Sequence, residues 1–167
     1  MAHQHQSISF REATKTDAKS IQELNEKIWR KIYHNLTTEA QMEYMLAHVH
    51  SEENIKDLME KNYHFFVATI DDVMVAYACV YTTDGKCYDL SRFYVDTDYQ
   101  GQKLGENFLK YLEEKKSPEI LYVDVNRRNY KAINFYFKNG FVIENLEDKA
   151  VGDGFEMHIF MMVKKFV

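Results

Sequence analysis

The chain has 167 residues, 46% of them apolar, with 26 acidic against 21 basic side chains and a formal charge of -5. That length suits one folded unit with a sizeable core and leaves little room for two, and the acidic balance gives no general reason to hold nucleic acid. No apolar run approaches the roughly 18 residues of a membrane span, and Met1–Phe10 is polar, so neither a spanning helix nor a secretion signal is expected and the cytoplasm is the default compartment.

In chain order, Ile8–Ala13 alternates as a short strand. Thr16-Asp17 supplies a helix start, and Ile21, Leu24, Ile28 and Ile32 then recur at helical spacing. Between Tyr33 and Asn62, Met42, Met45, Leu46 and Val49 share a helical face and Ile55–Met59 forms a second amphipathic piece, which predicts one or two short helices. Tyr63–Ile70 and Val73–Tyr81 read as strands around Asp71-Asp72, and Cys87–Val95 follows the hairpin signal Asp84-Gly85. An antiparallel meander is therefore expected. Cys79 and Cys87 fall on its adjacent strands and read as packing residues in a reducing compartment, not as a disulfide or zinc framework.

Leu104, Phe108, Tyr111 and Leu112 form a helical stripe that stops at Ser117-Pro118. Ile120–Val125 is a strand, and Asn129–Lys138 is a helix closed by Asn139-Gly140. Phe141–Glu144 and Phe155–Val163 supply two more strands around Gly152-Asp153-Gly154. The unit from Leu90 to Val125 is expected to be a right-handed parallel crossover within an otherwise antiparallel sheet.

The stretch LSRFYVDTDYQGQKLGENFL, Leu90–Leu109, carries the chemistry. An apolar strand enters a glycine-containing turn and then a helix, so Gln100, Gly101, Gln102, Lys103, Leu104 and Gly105 lie where unpaired N–H groups and the helix dipole favour phosphate. The chain has no HExxH, no Gly-x-Ser-x-Gly elbow and no phosphate loop ending in GKS/T, which leaves metallohydrolase, serine hydrolase and NTPase readings without a site. His3 and His5 form an HxH pair, read as a chain terminus and not as a metal site.

The QGQKLG turn after LSRFYVD, the order of elements and the later NYKAINFYFKNGF, Asn129 to Phe141, resemble the GNAT superfamily of acyl-CoA-dependent N-acyltransferases over nearly the whole chain. The resemblance implies one α/β domain over residues 1–167: a mostly antiparallel, twisted sheet of about seven strands with one splayed parallel pair and helices on both faces. It also implies acetyl-CoA as co-substrate and no metal. The family's loop pattern is Gln or Arg, two free positions, Gly, one free, then Gly or Ala; Gln100 and Gly105 match, and Lys103 stands where glycine is expected. Ordinary helical backbone angles would let Lys103 point to solvent or a CoA phosphate; otherwise cofactor binding is weakened.

By the same resemblance, the backbone of Phe93, Tyr94 and Val95 would hold the pantetheine arm, and the Phe93 N–H would face the thioester oxygen. Asp89 occupies the position of the family's general base, acting directly or through a water that Ser91 helps to hold; a solvated strand carboxylate is the alternative. Tyr136 matches the tyrosine near the CoA sulfur and is the candidate acid, or else a packed aromatic. Asn129 would cap its helix and bond the cofactor arm, and Lys138 would reach a CoA phosphate or stand exposed.

For the acceptor, Tyr33, His34, Glu39, Glu43, Tyr44, Glu52, Glu53, Glu156 and His158 offer acidic and aromatic groups suited to a cationic amine, or simply a solvated surface. The segment arrangement, with Phe65-Phe66 in the second strand, is similar to bacterial spermidine/spermine N-acetyltransferases. The expected function is acetylation of a small primary amine, such as a polyamine, by direct transfer in a ternary complex. A peptide N-terminus or lysine is the alternative acceptor and would need an open groove, whereas a non-catalytic CoA sensor or scaffold would retain the cradle without turnover. Monomer and homodimer both remain open, with no nucleic acid or membrane partner.

Overall fold

A computed structural model describes residues 6–166, so His3 and His5 lie outside the described residues. The elements run β1 (Ile8–Glu12), α1 (Ala18–Ile32), α2 (Glu39–Tyr44), a π-helical turn over Met45–Val49, α3 (Glu52–Glu60), β2 (His64–Ile70), β3 (Val73–Thr82) and β4 (Cys87–Val95). Then follow α4 (Leu104–Lys116), β5 (Ile120–Asn126), α5 (Tyr130–Lys138), β6 (Val142–Gly152) and β7 (Phe155–Lys165). The strands form one sheet in the order β1-β2-β3-β4-β5-β7-β6, and only β4 and β5 pair in parallel.

Local chemistry explains most boundaries. Ser51 and Thr38 accept hydrogen bonds from the first-turn N–H groups of α3 and α2. Asp71 and Asp72 both take positive φ, the twist-matched geometry of a two-residue hairpin. In β2, Phe65 and Val67 face α1 and α3, while Phe66 and Ala68 face α4 and α5. Burial on both faces is why this strand reads as a continuous apolar run. No described helix is long and apolar enough to cross a membrane.

The sequence pattern ended the sixth strand at Glu144, but β6 continues to Gly152. Its later residues are mostly exposed, so no apolar alternation marks them; the ladder with β7 holds them instead.

Two irregularities shape the site. Parallel pairing of β4 with β5 covers Cys87, Tyr88 and Asp89 and goes no further. Opposite it, Leu90 pairs with Val80 and Arg92 with Cys79, leaving Ser91 as an extra residue, a β-bulge. Bulges bend a strand and raise its twist. Past Asp89, β4 follows β3 and β5 follows β7, so the parallel strands splay apart.

The second irregularity is Lys103, which precedes α4 at φ 57° and ψ 16°. The helical angles anticipated there are not adopted; the residue is left-handed, the conformation that makes glycine usual at this point. A side chain in this region costs roughly 1–2 kcal/mol. Lys103→Gly is therefore expected to stabilise the protein by about 1 kcal/mol, raising its thermal midpoint by about 2–4 °C. A calorimetric scan showing an unchanged or lower midpoint would remove the strain argument.

Candidate functional site

The splay opens a cleft of about 850 Å³. Its walls are Leu90–Val95 of β4, Val123–Asn126 of β5, the start of α4, the inner face of α5 and Lys31–Leu36, the end of α1 and the turn after it. Strand backbone beyond Asp89 has no partner strand on the cleft side, so its alternate N–H and C=O groups are free for a ligand.

At one end lies the anion cradle. The Asn107 N–H bonds the Lys103 carbonyl at 2.9 Å, leaving the N–H groups of Leu104, Gly105 and Glu106 without an intrahelical acceptor. Gln100, Gly101, Lys103, Leu104 and Gly105 border the cleft, whereas Gln102 does not. Gly105 also has a packing role: a Cβ there would lie 3.2 Å from the Phe135 ring, so a small residue lets α4 and α5 meet.

The cradle is braced from α1. Buried Asp96 accepts from the Asp98 N–H at 3.0 Å and from the Lys27 ammonium at 2.7 Å, while Asp98 pairs with Lys27 and Lys31. The Gln100 side chain donates to the Val95 carbonyl at 3.3 Å and accepts from Lys131, crossing the cleft mouth.

The cleft lining is strongly cationic for an acidic chain. Lys31, Arg92, Lys103, Arg128, Lys131 and Lys138 border it, against Glu106 and Asp124. Such a lining concentrates anions.

Toward the centre, Tyr136 is 5% exposed and packs edge-on to Phe141 and Phe135. Burial pushes its pKa well above the usual phenol value, so it stays protonated and able to donate. It borders the cleft, as do Ser91, Phe93, Tyr94, Val95, Asn129 and Lys138. The Asn129 side-chain oxygen caps α5 by accepting from the Ala132 N–H at 3.2 Å. Its NH₂ group is left for a ligand.

Asp89 sits on the last paired rung and does not border the cleft, whereas Asp124 of β5 does. Asp89 keeps an open solvent side, yet crowding by protein and then repulsion from Asp124 push its pKa up to about 6, with Lys149 pulling the other way. Lys149 itself pairs with Asp124. The sequence reading missed Asp124. Alternation in Leu121-Tyr122-Val123-Asp124-Val125 puts it opposite the core residues, but only the register with Asp89 reveals that it lies at the splay.

Of the acceptor candidates, Tyr33 and His34 border the cleft; Glu39, Glu43, Tyr44, Glu52, Glu53, Glu156 and His158 do not. Glu43 pairs with Arg30, Glu52 with Lys56 and His158 with Asp148. The segment carrying Glu39 to Tyr44 is tied down on the last hairpin. Gln41 donates to the Glu156 carbonyl at 2.8 Å, Tyr44 lies 5.4 Å from Phe155, and Gly152 packs so tightly under Tyr44 that an added Cβ would sit 2.1 Å from the hydroxyl.

Residues 61–143 match the model of the acetyltransferase (GNAT) domain. A spermidine N(1)-acetyltransferase of Thermoplasma acidophilum is 24% identical over 168 residues, covering 96% of this chain and 98% of that protein. Among solved structures, the PaiA N-acetyltransferase of Thermoplasma acidophilum in complex with coenzyme A superposes with a TM-score of 0.81 at 23% identity, over 96% of this chain and 99% of that one. The ribosomal-protein-S18-alanine N-acetyltransferase of Escherichia coli gives 0.73 at 19% identity, over 95% and 94%. With the motif pair, the splayed parallel strands and the cradle, these matches place the chain in the GNAT acetyltransferase family.

Proposed function

We propose that the chain works as one acyltransferase unit that moves the acetyl group of acetyl-CoA directly onto a small primary amine in a ternary complex. The observation that carries this reading is the continuity of one cleft from the anion cradle, along the free edges of β4 and β5, to Tyr136. Pyrophosphate would lie at the cradle, pantetheine along Phe93–Val95 and the thioester beside Tyr136. The free thiols of Cys79 and Cys87 suit a reducing compartment such as the cytoplasm.

A neutral amine attacks the thioester carbon, and the Phe93 N–H takes the developing oxyanion charge; a donor so placed lowers a barrier by roughly 2.7–4 kcal/mol. The amine proton passes through water to Asp89, whose affinity for a proton is raised by burial and then by the neighbouring Asp124 charge. As the carbon–sulfur bond breaks, the Tyr136 hydroxyl donates to the departing thiolate.

With α2 held down on the β6–β7 hairpin, a small acceptor is the reading adopted over a peptide, which would need an open groove. A polyamine as that acceptor is supported by the Thermoplasma relative, while the cationic lining counts against it.

Acetyl-CoA-dependent thiol release, assayed over polyamines, amino acids, aminoglycosides and peptides, is expected to give turnover with a small amine and none with peptides. Calorimetric CoA binding without turnover on any amine would instead establish a sensor.

Tyr136→Phe should lower kcat by about 100-fold or more while leaving the acetyl-CoA KM within about twofold. Equal turnover in both proteins would remove the tyrosine as acid.

The rate should also rise with pH through an apparent pKa of about 6, because Asp89 must lose its proton to act as base. Asp124→Asn removes a repelling charge and frees Lys149, so that limb should move to lower pH. A pH–rate profile with an unmoved limb would contradict the coupling of Asp89 to Asp124.

A further inference from the structure

Polar groups at the acceptor end are buried without partners. Arg92, one of the cleft-lining residues, is 7% exposed; its Nη2 donates to the Val49 carbonyl at 2.7 Å, and its Nη1 has no partner among the described residues. Among the described residues no carboxylate lies within 4.0 Å ion-pair distance of it. Beside it, His50 is 3% exposed and neither ring nitrogen is hydrogen bonded. The His50 ring lies 4.5 Å from Trp29, whose indole N–H is also unpartnered, and 6.4 Å from Tyr94 on the cleft wall.

Burial and then the Arg92 charge hold the His50 pKa well below its usual value, so the ring is neutral and Arg92 is the only charge in the cluster. A buried cation with no counter-charge is destabilising, and each unmet donor adds to the cost. Both costs fall when a ligand brings an anion. Arg92 Nη1, a His50 ring N–H and the Trp29 N–H are three donors that meet no acceptor among the described residues. Arg92 borders the cleft while His50 and Trp29 lie behind it, so an anion entering from the cleft meets the guanidinium first, and a carboxylate is small enough to offer it one oxygen and turn the other inward.

We propose that this cluster is a carboxylate subsite and that the acceptor is an amino acid, its carboxylate on Arg92 and its reacting amine toward Asp124. The inference rests on the acetyl-transfer reading and narrows its substrate class. The chemistry is unchanged: the N–C bond forms, the C–S bond breaks, the amine proton leaves to Asp89 through water, and CoA departs as the thiol. The acceptor carboxylate stays intact.

The test compares amino acids with their decarboxylated counterparts, ornithine with putrescine and lysine with cadaverine among them, in the full-length protein. The expected result is a kcat/KM at least about tenfold higher for one or more carboxylate-bearing members, a preference lost in Arg92→Met and partly kept in Arg92→Lys. Trp29 is the only tryptophan, so its fluorescence reports occupancy of the cluster directly. It should change saturably with the preferred amino acid and not with the matching amine.

Decarboxylated amines turned over as well as, or better than, every amino acid would overturn the subsite while leaving acetyl transfer intact. If CoA binds and nothing turns over, the fluorescence titration of the wild-type protein still decides: saturation with an amino acid alone supports the subsite, and no response to any amino acid overturns it. Loss of CoA binding altogether would strike the acetyl-transfer reading instead.

Discussion

Parallel hydrogen bonding between β4 and β5 lasts three residue pairs, and everything functional in this molecule depends on its ending at Asp89. Full pairing would have consumed the backbone groups of Leu90–Val95 and Val123–Asn126 that now face open space. The extra residue at Ser91 supplies the bend, and α4 and α5 fill the far side of the gap so that it becomes a cleft with a floor. A ligand that replaces the missing strand gains main-chain hydrogen bonds that cost the protein no side chains.

Charge and strain are placed around that gap with some economy. Although the chain is acidic overall, six cations and two carboxylates border the cleft, so its local field opposes its net charge. The acidic side chains are used elsewhere: Asp96 and Asp98 hold Lys27 and Lys31 and so fix the cradle to α1. Lys103 carries a left-handed backbone that glycine would adopt freely, and strain of this kind is retained where surrounding structure enforces it. Gly105, by contrast, is explained by its contact with Phe135 before any ligand is considered.

The sequence made the element order, the meander, the cradle and the helix cap at Asn129 legible, because turns, caps and apolar periodicity are local signals. Three features were hidden. The bulge at Ser91 leaves no mark in the run LSRFYV, since its register is set by β3. The extension of β6 rests on ladder bonds instead of apolar burial, so polar residues from Asn145 onward gave no pattern. The partnership of Asp89, Asp124 and Lys149 joins β4, β5 and β6, and the engagement of the acidic acceptor candidates with Arg30 and Lys56 is equally tertiary. Candidate catalytic residues could therefore be named where a family motif carried them, while the surroundings of the acceptor candidates could be read only from packing.

The central claim is that the splay holds a pantetheine arm, and the structure of the acetyl-CoA complex tests it most directly. The account predicts density for the arm between Phe93–Val95 and Val123–Val125, the Gln100 side chain released from the Val95 carbonyl, and the sulfur within hydrogen-bond reach of Tyr136. A complex with the cofactor bound outside the cleft and the Gln100 contact undisturbed would contradict it.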